Sequence, residues 1–241
     1  MKNRVGTQGA FAGRLYLPAS RIERLCEDAL RSVGLFPDAP SPIRIERFIE
    51  KRFGFTPEYA ALPVGVLGYT VFEFGSPISL VVDRGLAETD SAVAQRRIST
   101  TLAHEAGHCL FHSHFFGEAQ APELPFCEPG SDSKTPKILC RDEPVGAYDG
   151  KWWEYQANAA IGALLLPKVL VFTAIQAFLE SRGLLGLPGL EDRMRRVAET
   201  AVAELFDVNP IVARIRLAEM FPPDHQFPQA TASDSKSCCQ T

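Results

Sequence analysis

The stretch His-Glu-Ala-Gly-His at residues 104–108 constrains this chain more than any other feature. Residues four apart lie on one face of an α-helix, so a helical backbone brings His104 and His108 to one point while Glu105 stands about 100° round the cylinder. Two imidazoles able to share a divalent cation, with a carboxylate in reach of a water on that cation, are the minimal apparatus for metal-assisted hydrolysis. The neighbouring residues support the helix. Across 96–114, Ile98, Leu102, Ala106, Cys109 and Leu110 form a stripe at helical spacing, and Ser99 or Thr100 stands near the expected start. Gly107 costs a helix interior about 1 kcal/mol against alanine. Either the position tolerates it, or the metal site or a neighbouring backbone needs the absent side chain.

Composition narrows the class. A chain of 241 residues with 46% hydrophobic content can bury a substantial core. We expect one catalytic domain over 18–221, a flexible N-terminus over 1–17 and a disordered tail over 222–241. The net charge of −4 and pI near 5.8 speak against a phosphate-binding surface and direct contact with nucleic acid, and favour a protein or peptide partner. The first residues lack the apolar core of a secretory signal. The most apolar run, 157–178, is interrupted by Asn158, Pro167 and Lys168, so no membrane span is expected and a cytoplasmic protein is. Six cysteines at 26, 109, 127, 140, 238 and 239 form no Cys-x-x-Cys pair, and reduced thiols are expected; Cys127 and Cys140 flank one loop.

Along the chain, Ser20-Arg-Ile-Glu23 reads as a capping box opening a helix that Gly34 closes. A second helix follows Ser41-Pro42, with proline in its first turn, and ends at Gly54. Residues 66–74 and 78–83 read as a hairpin turning at Gly75-Ser76-Pro77. The stretch 115–150 is rich in Pro, Gly, Asp and Ser and reads as a long loop. Helical pattern returns over 152–180, broken at Pro167; 184–190 is a connector. Two helices close the fold near 190–206 and 210–220, the last capped by Asn209-Pro210.

A catalytic zinc takes three protein ligands, so two histidines require a third group. Glu154 is the strongest candidate, a lone carboxylate near the start of an otherwise apolar helix, where it also suits the helix dipole. Asn158, one turn on, can hold a ligand histidine through its amide. His112 lies about 12 Å along the helix from His104, too far to share the ion with both other imidazoles, and is read as packing or as support behind a ligand.

Together these residues resemble the ImmA/IrrE-type zinc metallopeptidases. There an arginine-rich lead runs into Leu-Ala-His-Glu-x-Gly-His, and a second helix reads approximately Trp-Glu-x-Gln-Ala-Asn before a Leu-Leu-x-Pro end. Here those elements are 96–112 and 153–167, with weaker likeness at Leu67-Gly68, at Gly75-Ser76-Pro77-Ile78, at Phe206-Asp207-Val208 and at Arg216-Leu217, over roughly 20–221. The resemblance implies an α+β fold, mostly helical and zincin-like, with a small antiparallel sheet beside the motif helix. It implies His104, His108 and Glu154 as ligands of one zinc ion, with manganese or another divalent metal also compatible, and Glu105 as general base. It further implies cleavage of a DNA-binding transcriptional repressor, often under stress or in mobile elements. The chain departs from the pattern in its long loop with Cys127 and in having Ala159 after the asparagine. With fewer than 20 residues before Ser20, no helix-turn-helix is expected ahead of the peptidase.

On this reading Glu105 takes a proton from the attacking water and passes it to the departing amine. Tyr148, Tyr155 and His114 are candidates to steady the oxyanion. Alternatives are a module that grips a repressor without cutting it and another zinc-dependent amide hydrolase. Direct DNA binding by 190–220 is disfavoured, since Arg193, Arg195, Arg196, Arg214 and Arg216 face six acidic residues in the same segment.

Overall fold

A computed structural model describes residues 17–116, 137–141, 151–182 and 186–223. The expectations for residues 1–16, for Cys127, Tyr148, Cys238 and Cys239, and for the tail from 224 lie outside the described residues. The architecture is α+β. Helices α1 (Ala19–Ser32) and α2 (Ile45–Phe53) precede three strands, β1 (Glu58–Ala60), β2 (Val66–Glu73) and β3 (Ser76–Asp83). A short α3 (Arg84–Ala87) leads into the 20-residue α4 (Ala92–Phe111), followed by a 3-10 turn, Ser113–Phe116. After β4 (Lys137–Arg141) come α5 (Trp152–Leu165), α6 (Lys168–Ile175), the hairpin β5 (Leu179–Arg182) and β6 (Leu187–Leu190), and the closing pair α7 (Asp192–Leu205) and α8 (Pro210–Met220).

Several local expectations are corrected. Helix α1 is not opened by a capping box: Pro18 is its N-cap, the Pro18 carbonyl accepts from Arg21 and Ile22, and Ser20 lies inside the first turn. Glu23 is drawn elsewhere, accepting from Arg216 at 2.6 Å and from the Lys168 amide at 3.1 Å. The other end behaves as read. Gly34 at φ +68° lets its own amide reach Arg31 O and that of Leu35 reach Leu30 O, both at 3.0 Å, a Schellman ending. Helix α2 starts only at Ile45, beyond Pro42, and closes at Gly54 (φ +85°). Leu17, assigned to a flexible end, is buried in the core.

The main sheet has the order β1-β3-β2-β4 and is mixed rather than antiparallel, because β1 runs parallel to β3. Its central hairpin turns at Phe74-Gly75, one residue before the expected position. Both residues have positive φ (46° and 77°), the two-residue turn whose twist matches the strands, while Ser76 and Pro77 belong to β3. Strand β4 falls inside the stretch read as loop, pairing antiparallel with β2. Residues 187–190 of the expected connector likewise form β6, paired antiparallel with β5.

Helix α4 begins earlier than its motif suggested. Ser91 caps it, accepting from the Ala94 amide at 3.2 Å, and Ser99 and Thr100 are interior; Thr100 bonds back to Arg96 O at 2.8 Å. From Thr101 to Cys109 every residue is buried, so where a stripe was expected about two and a half turns of helix are enclosed on all sides. One side meets β2 at Gly68, where an added Cβ would lie 2.9 Å from Val81 O and 3.0 Å from a Thr101 methyl. The other side meets α5 at Gly107, where an added Cβ would lie 2.8 Å from Ala160 Cβ and 3.0 Å from Ala157 Cα. The glycine is there because a neighbouring backbone needs the space.

As read, the chain breaks at Pro167, and α5 and the segment 168–178 diverge by 51°. Among the described residues no single helix is long and apolar enough to cross a membrane. Arg216, weighed above as a phosphate contact, is buried: it donates to Leu166 O at 2.8 Å and pairs with Glu23, tying α8 to α1 at the α5–α6 break. Cys26 and Cys109 are free, buried thiols. Burial pushes both thiols well up, above all other influences, so they stay protonated and unreactive.

The approach at Gly107 has a measurable consequence. Alanine is the better helix former by about 1 kcal/mol, yet its methyl must displace the α5 backbone, and overpacking of that kind costs about 1–3 kcal/mol. Gly107→Ala is therefore expected to lower stability in urea unfolding, and Gly107→Val to lower it further.

Candidate metal centre

Helix α4 carries His104 and His108 on the edge that faces α5, and the first turn of α5 carries Glu154 into the same space. The three side chains converge. His104 Nε2 and His108 Nε2 are 3.0 Å apart, and the Glu154 carboxylate stands 3.2 Å from the first and 3.6 Å from the second. Donor atoms bound at about 2.0–2.1 Å to one tetrahedral ion are about 3.3 Å from each other, and the two Nε2 atoms, with Glu154 Oε2 near His104 and Glu154 Oε1 near His108, stand close to that spacing. His104, His108 and Glu154 thus form a cluster that could hold a metal ion. The histidines are buried and Glu154 is about a quarter exposed.

The imidazoles are oriented from behind. His104 Nδ1 lies 3.0 Å from Asn158 Oδ1, an acceptor, so Nδ1 carries the hydrogen and Nε2 presents its lone pair to the centre. His108 Nδ1 lies 2.9 Å from His112 Nδ1, and His112 Nε2 lies 3.1 Å from Gln156 Oε1. Glu154 and Asn158, one turn apart on α5, therefore serve both sides of His104.

Electrostatics agree. Burial would raise the Glu154 carboxyl, but hydrogen bonds and positive charge shared with His104 and His108 overcome it and hold Glu154 well below the usual carboxylate range. In the metal-free site a proton on an imidazole Nε2 supplies those contacts; a bound cation would supply the same attraction with both Nε2 atoms bare. Burial lowers both His108 and His112 from the ordinary imidazole value, and His112 is held neutral.

Glu105 points from α4 toward the sheet. It is fully buried, accepts from Thr70 Oγ1 at 2.6 Å through Oε2, and its Oε1 has no hydrogen-bond partner among the described residues. Burial pushes its carboxyl up to about 7, against the downward pull of His104 and the Thr70 hydrogen bond. Gly68 makes this contact possible: with no side chain there, β2 settles onto Thr101 and Glu105 and brings Thr70 within reach.

Two of these residues were missed in the sequence. Thr70 stands among Val66, Gly68 and Phe72 on the buried face of β2, the lone hydroxyl at an inward position. Gln156 is buried on the same apolar helix as Glu154, where an amide needs a partner as much as a carboxylate does. Among the proposed oxyanion donors, Tyr155 and His114 are both exposed, Tyr155 next to Glu154 and His114 on the 3-10 turn, its ring tilted against Phe115 with centroids 4.0 Å apart. A cluster of Phe72, Phe116, Trp152 and Trp153 packs the start of α5 against β2, and Trp152 lies edge-on to His112 at 5.7 Å.

Comparison with protein-family models finds none that matches, and no curated protein matches the chain.

The buried Glu105 makes stability depend on pH. Its folded pKa lies above its ordinary value of 4.5, so the folded state holds the proton more tightly, and stability falls as pH rises from 4.5 to about 7. In metal-free protein, Glu105→Gln is expected to be more stable than wild type above pH 7, by up to about 3 kcal/mol at 1.36 kcal/mol per pH unit. Near pH 4.5 the difference should vanish. Urea titrations at both pH values check this.

Proposed function

We propose that this protein is a zinc-dependent endopeptidase of zincin-like fold, with His104, His108 and Glu154 holding one zinc ion and Glu105 as general base. The observation that carries the reading is the meeting of two imidazole Nε2 atoms and the Glu154 carboxylate within 3.0–3.6 Å, beside a buried carboxylate with one oxygen unpartnered among the described residues. Two neutral imidazoles and a carboxylate are the donor set of catalytic rather than closed structural zinc sites. When bound, zinc supplies Lewis acidity, which polarises a carbonyl and brings the pKa of water from 15.7 toward about 7.

The chain's own residues account for the remaining chemistry. Glu105 Oε2 is tethered to Thr70, so Oε1 is the oxygen that receives the proton of the attacking water and hands it to the leaving nitrogen. A carboxyl whose pKa is brought near neutrality by burial suits a proton that must be both taken and returned. Asn158 and His112 keep both imidazole Nε2 atoms turned inward. A module that only gripped its partner would gain nothing from burying Glu105.

The substrate class rests on the sequence resemblance: a DNA-binding repressor, cut in the cytoplasm, with no direct nucleic-acid or membrane contact by this chain. Purified protein with zinc, incubated with the helix-turn-helix regulator encoded nearest to it, is expected to yield discrete fragments. Glu105→Gln should bind zinc as wild type does and lose cleavage by about 10²–10⁴-fold, the usual worth of a general base. His104→Ala should lose metal and cleavage together. Cleavage that persists in Glu105→Gln overturns the mechanism.

A further inference from the structure

We propose that Gln156 sets the proton polarity of the metal site from two hydrogen bonds away: its carbonyl oxygen, acting through His112, holds His108 in the tautomer whose Nε2 is free to bind a cation. The inference rests on the metal reading above and concerns how the ligand is made ready, not what is cleaved.

A carbonyl oxygen only accepts, so at 3.1 Å from Gln156 Oε1 the His112 Nε2 must carry a hydrogen. A neutral imidazole has one N–H, which leaves His112 Nδ1 as a bare acceptor. His108 Nδ1, 2.9 Å away, must then donate to it. His108 Nε2 is consequently bare, facing His104 Nε2 at 3.0 Å and Glu154 at 3.6 Å. Each link is closed to solvent: His108 and His112 are fully buried, and Gln156 is 3% exposed. Trp152, Phe111 and Phe115 pack around the His112 ring with centroids at 5.7, 6.2 and 6.4 Å.

Water therefore cannot replace a missing acceptor, and the orientation of one amide decides the whole chain. Were the Gln156 amide reversed, its NH2 would donate to His112 Nε2, His112 Nδ1 would donate to His108, and the proton of His108 would sit on Nε2, where a cation must bind. Gln156 and His112 are positioning residues in this scheme, since neither touches the reacting atoms. Asn158 does the same for His104 directly, so one helix, α5, orients both imidazoles of α4 and supplies the third ligand.

Two measurements test this on the full chain. The first is the ¹⁵N spectrum of the histidine rings in wild-type protein, expected to show His112 as the Nε2–H tautomer and His108 as Nδ1–H. The second is zinc affinity by competition with a chelating dye. Gln156→Leu is expected to weaken zinc binding 10–100-fold, the usual cost of losing a group behind a ligand. Gln156→Glu, whose carboxylate also only accepts, should stay within about threefold of wild type. His112 found as Nδ1–H, or a folded Gln156→Leu with wild-type zinc affinity, overturns the proposal; if Gln156→Leu does not fold, the wild-type spectrum decides. Wild-type protein that takes up no zinc overturns instead the metal reading on which the proposal stands.

Discussion

The placement of α4 between β2 and α5, at van der Waals contact on both sides, is the constraint from which the rest of the site follows. Two absent side chains make it possible. At Gly68 the strand comes down onto Thr101 and Glu105, and at Gly107 the helix comes up against Ala157 and Ala160. Helices in contact normally keep axes 8–10 Å apart, and small residues at the crossing bring them to the lower end of that range. At that separation a first-turn glutamate on α5 meets histidines on α4, and an inward threonine on β2 meets the carboxylate on the other side. The chemistry of the centre is thus bound to packing density: its side chains meet within 3.0–3.6 Å where Gly107 lets the backbones of α4 and α5 come this close.

Much of this was legible in the residues. The His-Glu-x-x-His spacing specifies a helix face by geometry alone, and Glu154 and Asn158 were exposed as candidates by being polar on an apolar helix, four apart. What the sequence concealed depended on tertiary contact. Thr70 and Gln156 are each a single polar residue with no periodic partner, and their meaning appears only when β2 and α5 close on α4. Ser20-x-x-Glu23 met the pattern of a capping box, but Glu23 is engaged by Arg216 from the far end of the chain, and an ion pair with a buried guanidinium outweighs a local backbone contact. Strands β4 and β1 escaped notice because short edge strands in polar stretches carry little alternation of their own.

The two sides of α4 differ in kind. Toward α5 lies a chain of hydrogen bonds, Asn158 to His104 and Gln156 through His112 to His108, in which each imidazole Nδ1 has a partner. Toward β2 lies a buried carboxylate, one oxygen held by a single hydroxyl and the other without a hydrogen-bond partner among the described residues. The first side is what a rigid scaffold needs; the second is a local energetic cost, and such costs concentrate where chemistry is done.

The bend at Pro167 has a consequence for assembly. The Leu166 carbonyl left open by the break is taken up by Arg216, whose guanidinium also reaches Glu23, so α8 closes over the C-terminal end of α5, the helix that carries Glu154 in its first turn. The side chains that fasten this end of α5 therefore come from α1 and α8, far before and far after it in sequence, and a chain still emerging from synthesis can complete that clasp only once α8 has been made.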